Sequence, residues 1–87
     1  MHAPPPELAA LLRRRAAQPI TTGESGARVL RYAREGAPAL FLKTVAADAR
    51  PLGDEAARLR WMAARGVLVP EVLHCVVHEG REYMLLT

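Results

Sequence analysis

Two apolar runs, ARVLRYAR and ALFLKTV, are separated only by Glu35, Gly36, Ala37 and Pro38. No other feature limits the fold as much. Runs of aliphatic, aromatic and β-branched residues on either side of a short Gly/Pro-bearing connection predict an antiparallel hairpin. Along such a strand alternate side chains share a face. Phe41, Lys43 and Val45 therefore point one way, and Leu40, Leu42 and Thr44 the other. Lys43 is the only lysine in the chain; every other Lys/Arg position is arginine. The abundance of Ala, Arg, Gly and Pro matches GC-rich coding, which favours Arg over Lys without functional cause, so the one lysine stands out. An ammonium among apolar neighbours must snorkel to an edge, pair with an anion, or be buried at high cost.

The rest of the chain reads as elements around this hairpin. Pro4 to Pro6 lead into ELAALLRRRAA, a short helix with Glu7 at its start and Arg13 to Arg15 at its end, in accord with the helix dipole. QPITTG is a strand, and GESGA, residues 23 to 27, a turn-rich loop. Leu52, Ala56, Leu59, Met62 and Ala63 recur at helical spacing, and Gly66 follows as a stop signal, which predicts a helix over about 52–65. VLVPEVLHCVV is a linker with Pro70 and then a strand, and HEGRE turns it back into YMLLT, the final strand. The expected fold is α+β: about five antiparallel strands, one packed helix and a short N-terminal helix. Residues 1–17 form a helical lead-in and 18–87 the domain proper.

Size and charge exclude several classes. Eighty-seven residues make one small domain, which buries roughly 60–70% of its unfolded surface. The formal charge of +3 comes from arginines scattered along the chain. Tyr32, Phe41, Trp61 and Tyr83 offer no visible stacking platform, so nucleic acid is not an expected partner. Cys75 is the single cysteine, without metal-ligand spacing to His74 or His78; it reads as a small core residue and points to a reducing cytoplasm. No signal peptide and no membrane-length apolar run are visible. The chain ends at Thr87 within an apolar run, which is expected of the front part of something longer.

Three features bear on chemistry. Glu55 lies one turn from Leu59 on or beside the apolar stripe of the second helix. Spacing alone leaves two readings open: an ion pair with Lys43, or two side chains that reach solvent separately. GESGARV, with Gly23, Ser25 and Gly26, could turn backbone N–H groups toward an anion. It precedes a strand and lacks the terminal G-K-[ST], so it is no P-loop, it misses the full G-x-G-x-x-G of protein kinases, and taken alone it reads more readily as a plain hairpin turn. In order, a small-residue turn between strands, a strand lysine and a helix glutamate form the layout that holds ATP phosphates in kinases.

At this point the wording of the chain resembles the N-terminal lobe of aminoglycoside phosphotransferases, in particular the 3′-phosphotransferase group. ITTGESGARVLRY resembles the nucleotide-positioning loop and its strands, and PALFLKT the strand of the ATP-binding lysine. LGDEAARLRWMAARGVLVPEVL resembles the helix with the paired glutamate and the link that follows, and EGREYMLLT the strand entering the hinge. The resemblance covers about residues 18–87. It implies a protein-kinase-like N-lobe in which Lys43 holds the α- and β-phosphates and Glu55 fixes Lys43. Ser25, Gly23 and Gly26 then lie above the phosphates, Val29 on the adenine, Leu86 near its inner edge, and Thr87 at the hinge.

The implied cofactor is ATP, with Mg²⁺ only where a second lobe supplies its ligands. No His-x-Asp loop or metal-binding Asp is present, so no catalytic or metal-ligating residue is expected in these 87 residues. The expected function is the nucleotide-binding lobe of an antibiotic-resistance kinase, inactive by itself and of low stability. Aminoglycoside would be met only through the other lobe, and the exposed lobe interface would favour self-association. The alternatives are a free-standing non-catalytic binding or regulatory module, and the lobe of a choline, fructosamine or macrolide kinase.

Overall fold

The structure, a computed structural model, describes residues 4–22, 28–47 and 51–87. Helix α1 (Pro6–Leu12) is followed by strands β1 (Ala16–Thr22), β2 (Arg28–Arg34) and β3 (Ala37–Ala46). Helix α2 (Pro51–Ala64) and strands β4 (Val72–His78) and β5 (Arg81–Leu86) complete the chain. The strands form one antiparallel sheet in the order β1-β2-β3-β5-β4. The predicted α+β arrangement of five strands and two helices is the one observed. Among the described residues no helix is long and apolar enough to cross a membrane.

The hairpin is tighter than expected. β2 ends at Arg34 and β3 begins at Ala37, so Glu35 and Gly36 alone make the turn. Gly36 takes φ +79°, a left-handed conformation that suits glycine at a two-residue hairpin turn. Ala37 and Pro38, expected in the connection, belong to β3. The register shifts between Tyr32 and Arg34, opposite the stretch that carries Pro38. That irregularity admits a residue with no N–H to give to the ladder. Pro19 is tolerated for the related reason that β1 is an edge strand, and the register shifts beside it too.

The sheet is covered on both faces. Leu8 and Leu12 of α1 close over Leu42, Tyr83 and Leu85, with Tyr32, Leu40, Leu73 and Val76 around them. On the opposite face Leu52 and Ala56 of α2 pack on Val45 and Met84, joined by Leu59, Val72, Cys75 and Leu86. The alternation read from ALFLKTV therefore holds, with Leu40 and Leu42 facing α1 and Val45 facing α2. The first helix is part of the core rather than only a lead-in.

That helix is also shorter than predicted. It ends at Leu12, Arg13 is extended, Arg14 has φ +65°, and Ala16 already belongs to β1. Leu8 and Leu12 define its buried stripe, and Arg15 would be the next residue on that stripe. A continued helix would press this guanidinium into the apolar layer, at the cost of an unpaired buried charge. With the chain turned at Arg14, the Arg15 guanidinium instead donates to the carbonyl of Pro38 at 2.8 Å and to that of Tyr32 at 3.4 Å.

α2 matches its predicted range to within a residue at each end. Its C-terminus closes with Val67 N–H on Met62 C=O and Gly66 N–H on Ala63 C=O, with Gly66 at φ +82°. This is a Schellman motif, which satisfies the carbonyls left over at a helix end.

Candidate functional site

Residues directly opposite one another in antiparallel strands share a face. Val29 of β2 lies opposite Lys43 of β3, Lys43 opposite Met84 of β5, and Met84 opposite Cys75 of β4. A second row runs parallel to it: Arg31, Phe41, Leu86 and Val72. Met84, Leu86, Cys75 and Val72 pack with α2, so both rows lie on the α2 face. Lys43 thus rises from a sheet surface whose nearest cross-strand neighbours are apolar, with Val29 half-buried and Met84 fully buried. Its aliphatic stem can cover that surface while the ammonium reaches outward.

The ammonium meets a carboxylate. Lys43 Nζ donates to Glu55 Oε1 at 2.9 Å, and the two side chains are 30% and 31% exposed. Of the two readings left open by spacing, the pair is the observed one. A cation and an anion so exposed attract each other modestly, by about 0–1 kcal/mol. The contact therefore orients the ammonium more than it stabilises the fold. Among the described residues this is the one side-chain hydrogen bond of the ammonium, which carries three donors.

Thr87 follows Leu86 directly and is fastened to the stretch before β4. Its N–H donates to the Glu71 carbonyl at 3.1 Å, and its hydroxyl accepts from the Glu71 N–H at 3.0 Å. Lys43, Glu55, Val29 and Leu86 thus belong to one face or reach it, and Thr87 lies at the end of the strand that carries Leu86. Gly23, Ser25 and Gly26 lie outside the described residues. The strands that flank them are described, and their ends pair, Thr22 with Arg28.

Three residues of this region were not given a role at the site from the sequence. Phe41 and Arg31 share the face of Lys43, which strand alternation shows for Phe41 and only the cross-strand register shows for Arg31. The third is Glu82. It is fully buried on β5, and its carboxylate accepts the N–H groups of Leu52 at 3.0 Å and Gly53 at 2.9 Å. The first N–H groups of a helix have no partner within the helix. Here a sheet side chain caps them, and its negative charge meets the positive end of the helix dipole. The Cys75 thiol adds a contact to the Leu52 carbonyl at 3.7 Å. Cys75 is otherwise half-buried against the α2 cluster, where a small core residue was expected.

A groove of about 440 Å³ is formed by Leu59, Arg60, Ala63, Val69, Pro70, Glu71 and Val72, toward the C-terminal half of α2. Neither Lys43 nor Glu55 lines it. The charge pair marks the better candidate, because it presents a cation oriented by a fixed partner where the groove supplies mainly shape. Among the described residues no group of three His, Cys, Asp or Glu side chains gathers in a way that could hold a metal ion. A scan against models of known protein families finds none that matches the chain.

Proposed function

We propose that this chain is the ATP-binding lobe of a small-molecule kinase of the aminoglycoside phosphotransferase type, built as a protein-kinase-like N-lobe. The observation that carries the reading is the 2.9 Å contact between a strand lysine and a helix glutamate on one sheet face. Arrangement supports it further. β1 and β2 flank the Gly23–Ser25–Gly26 segment, and Val29, the second residue of β2, lies directly across from Lys43. Leu86 and Phe41 oppose each other on the same face, so an apolar strip adjoins the ammonium. An apolar strip is the kind of surface an adenine ring stacks on, and an ammonium is the kind of group a phosphate pairs with.

In this reading Lys43 holds the α- and β-phosphates and Glu55 keeps its ammonium aimed at them. Val29, Phe41 and Leu86 offer contact to the base, and Thr87 marks the start of the hinge. In kinases of this type the metal ligands and the residue that positions the substrate hydroxyl are carried by the other lobe, and the reading assigns neither role to this chain. Phosphoryl transfer relies on positioning and charge stabilisation from both sides of the cleft. The 87-residue chain is accordingly proposed to bind nucleotide without turning it over.

Titration calorimetry of the full chain with ATP tests the proposal, using Lys43→Ala and Glu55→Gln as comparisons. A lysine–phosphate hydrogen bond is charge-assisted, so Lys43→Ala is expected to weaken binding about 10- to 100-fold. Glu55→Gln should weaken it less, because it removes only the orienting partner. Equal affinity in the wild type and Lys43→Ala would sink the reading, as would no measurable binding by the wild type.

A further inference from the structure

We propose that Glu82 is a positioning residue: it locks the first turn of α2 to the sheet and so sets the reach of Glu55 to Lys43. Its consequence for nucleotide rests on the function proposed above; its hold on α2 does not.

The argument begins with the cost of the residue. A fully buried glutamate is expensive unless its oxygens are hydrogen-bonded, and these are, each to one backbone N–H of α2. A helix start is ordinarily capped by a short Ser, Thr, Asp or Asn side chain just before it. Such a local cap moves with its helix and says nothing about where the helix lies. A cap supplied by β5, 29 and 30 residues away in the chain, fixes the helix against the sheet in both axial position and rotation.

Geometry carries that constraint to the ion pair. Glu82 lies opposite Val45, and Met84, two residues on, lies opposite Lys43. The capped N–H groups and the lysine are therefore referred to the same two strands. Leu52 and Gly53 are within one turn of Glu55, leaving little slack between cap and carboxylate. A slip of one residue would displace Glu55 by about 1.5 Å along the axis and about 100° around it, which a 2.9 Å contact does not survive. The close approach of helix and strand is visible at Gly53, where a Cβ would come within 3.4 Å of Glu82 Oε2.

The direction of control follows from exposure. The Lys43–Glu55 pair is partly in water and screened, whereas the Glu82 contact to Leu52 is buried and shielded. The buried anchor sets the position of the helix, and the exposed pair uses it.

NMR on the full chain provides the test, because Lys43 is the only lysine and its ammonium gives one side-chain signal. In the wild type, the Leu52 and Gly53 amides should be protected from exchange as strongly as neighbouring α2 amides, unlike the uncapped first turn of a helix. Glu82→Gln keeps the shape but offers only one acceptor oxygen. It should speed exchange at these two amides about 10- to 100-fold, leave the β2–β3 amides unchanged, and move the Lys43 signal to its position in Glu55→Gln. For nucleotide affinity, the double variant Glu55→Gln/Glu82→Gln should be no worse than Glu55→Gln alone.

A folded Glu82→Gln chain with the Lys43 signal at its wild-type position would overturn the proposal. If that variant does not fold, wild-type exchange decides: unprotected Leu52 and Gly53 amides overturn it, and protected ones support it. Absence of nucleotide binding by the wild type would remove the kinase reading while leaving both NMR tests in force.

Discussion

Tyr32 is where a single residue makes the stability of the sheet depend on pH. Burial beside the α1-face cluster raises its phenol above the ordinary value near 10, and the Arg28 guanidinium opposes part of that rise. Above about pH 10 the unfolded chain sheds this proton while the folded chain keeps it, so the folded state binds more protons and stability falls with rising pH. Below that value the contribution is complete. Tyr32→Phe should therefore flatten the alkaline loss, and urea midpoints between about pH 8 and pH 11 measure the difference between the two chains directly. An equal alkaline slope in both would exclude the assignment. Lys43 shows how much a residue can disclose in sequence: an ammonium amid apolar strand neighbours needs an anion, and the helix stripe held one. Glu82 shows the opposite. Beside the Glu79–Gly80 turn, in HEGRE, it reads as a solvent-facing residue, and no local pattern tells that its partners are two helix N–H groups in another element.

At the scale of the element, α2 couples a legible pattern to a concealed anchor. Leu52, Ala56 and Leu59 fall at helical spacing, and Gly66 ends the helix because a left-handed residue is needed there. Its start was legible to within a residue, but the cap was not, since it comes from β5. α1 was misjudged at its other end for a related reason. Three arginines favour a helix C-terminus by charge, but tertiary packing assigns Arg15 to two strand carbonyls, and the helix stops before it. Gly53 offers a prediction about α2. Glycine within a helix costs about 0.5–1 kcal/mol relative to alanine, mainly through the entropy of the unfolded chain. It is not needed here for a positive φ, and a Cβ would stand in ordinary contact, 3.4 Å from Glu82 Oε2. Gly53→Ala should therefore stabilise the chain by about 0.5–1 kcal/mol, read as a higher urea midpoint at unchanged slope. A lower midpoint would mean that the methyl group disturbs the Glu82 cap, and that the capped turn is packed more tightly than its distances suggest.

For the molecule as a whole, the decisive fact is that one sheet separates two apolar layers. An amphipathic sheet buries one face against a helix and can leave the other in water. This sheet does not, because Leu42, Tyr83 and Leu85 occupy the second face, and α1 supplies Leu8 and Leu12 to cover them. A seven-residue helix is too short to persist by itself in water, so its presence depends on that cover. The dependence is mutual: without α1 the cluster around Leu42 would face solvent. Leu8 is fully buried and Leu11, three residues along the same helix, is 46% exposed, which permits an internal comparison. Leu8→Ala should cost about 2–5 kcal/mol through lost burial and the cavity left behind. Leu11→Ala should stay within about 0.5 kcal/mol, as surface changes do. Against a total of about 5–15 kcal/mol for a folded domain, and the lower end for a small one, the first change consumes much of the margin. Thermal and urea unfolding of both variants measure this. If Leu8→Ala and Leu11→Ala unfold alike, near the wild type, α1 is an appendage and the domain begins at β1. If Leu8→Ala alone loses its cooperative transition, the smallest folding unit includes α1. The face that carries Lys43 and Glu55 is then held in shape partly from the opposite side of the sheet.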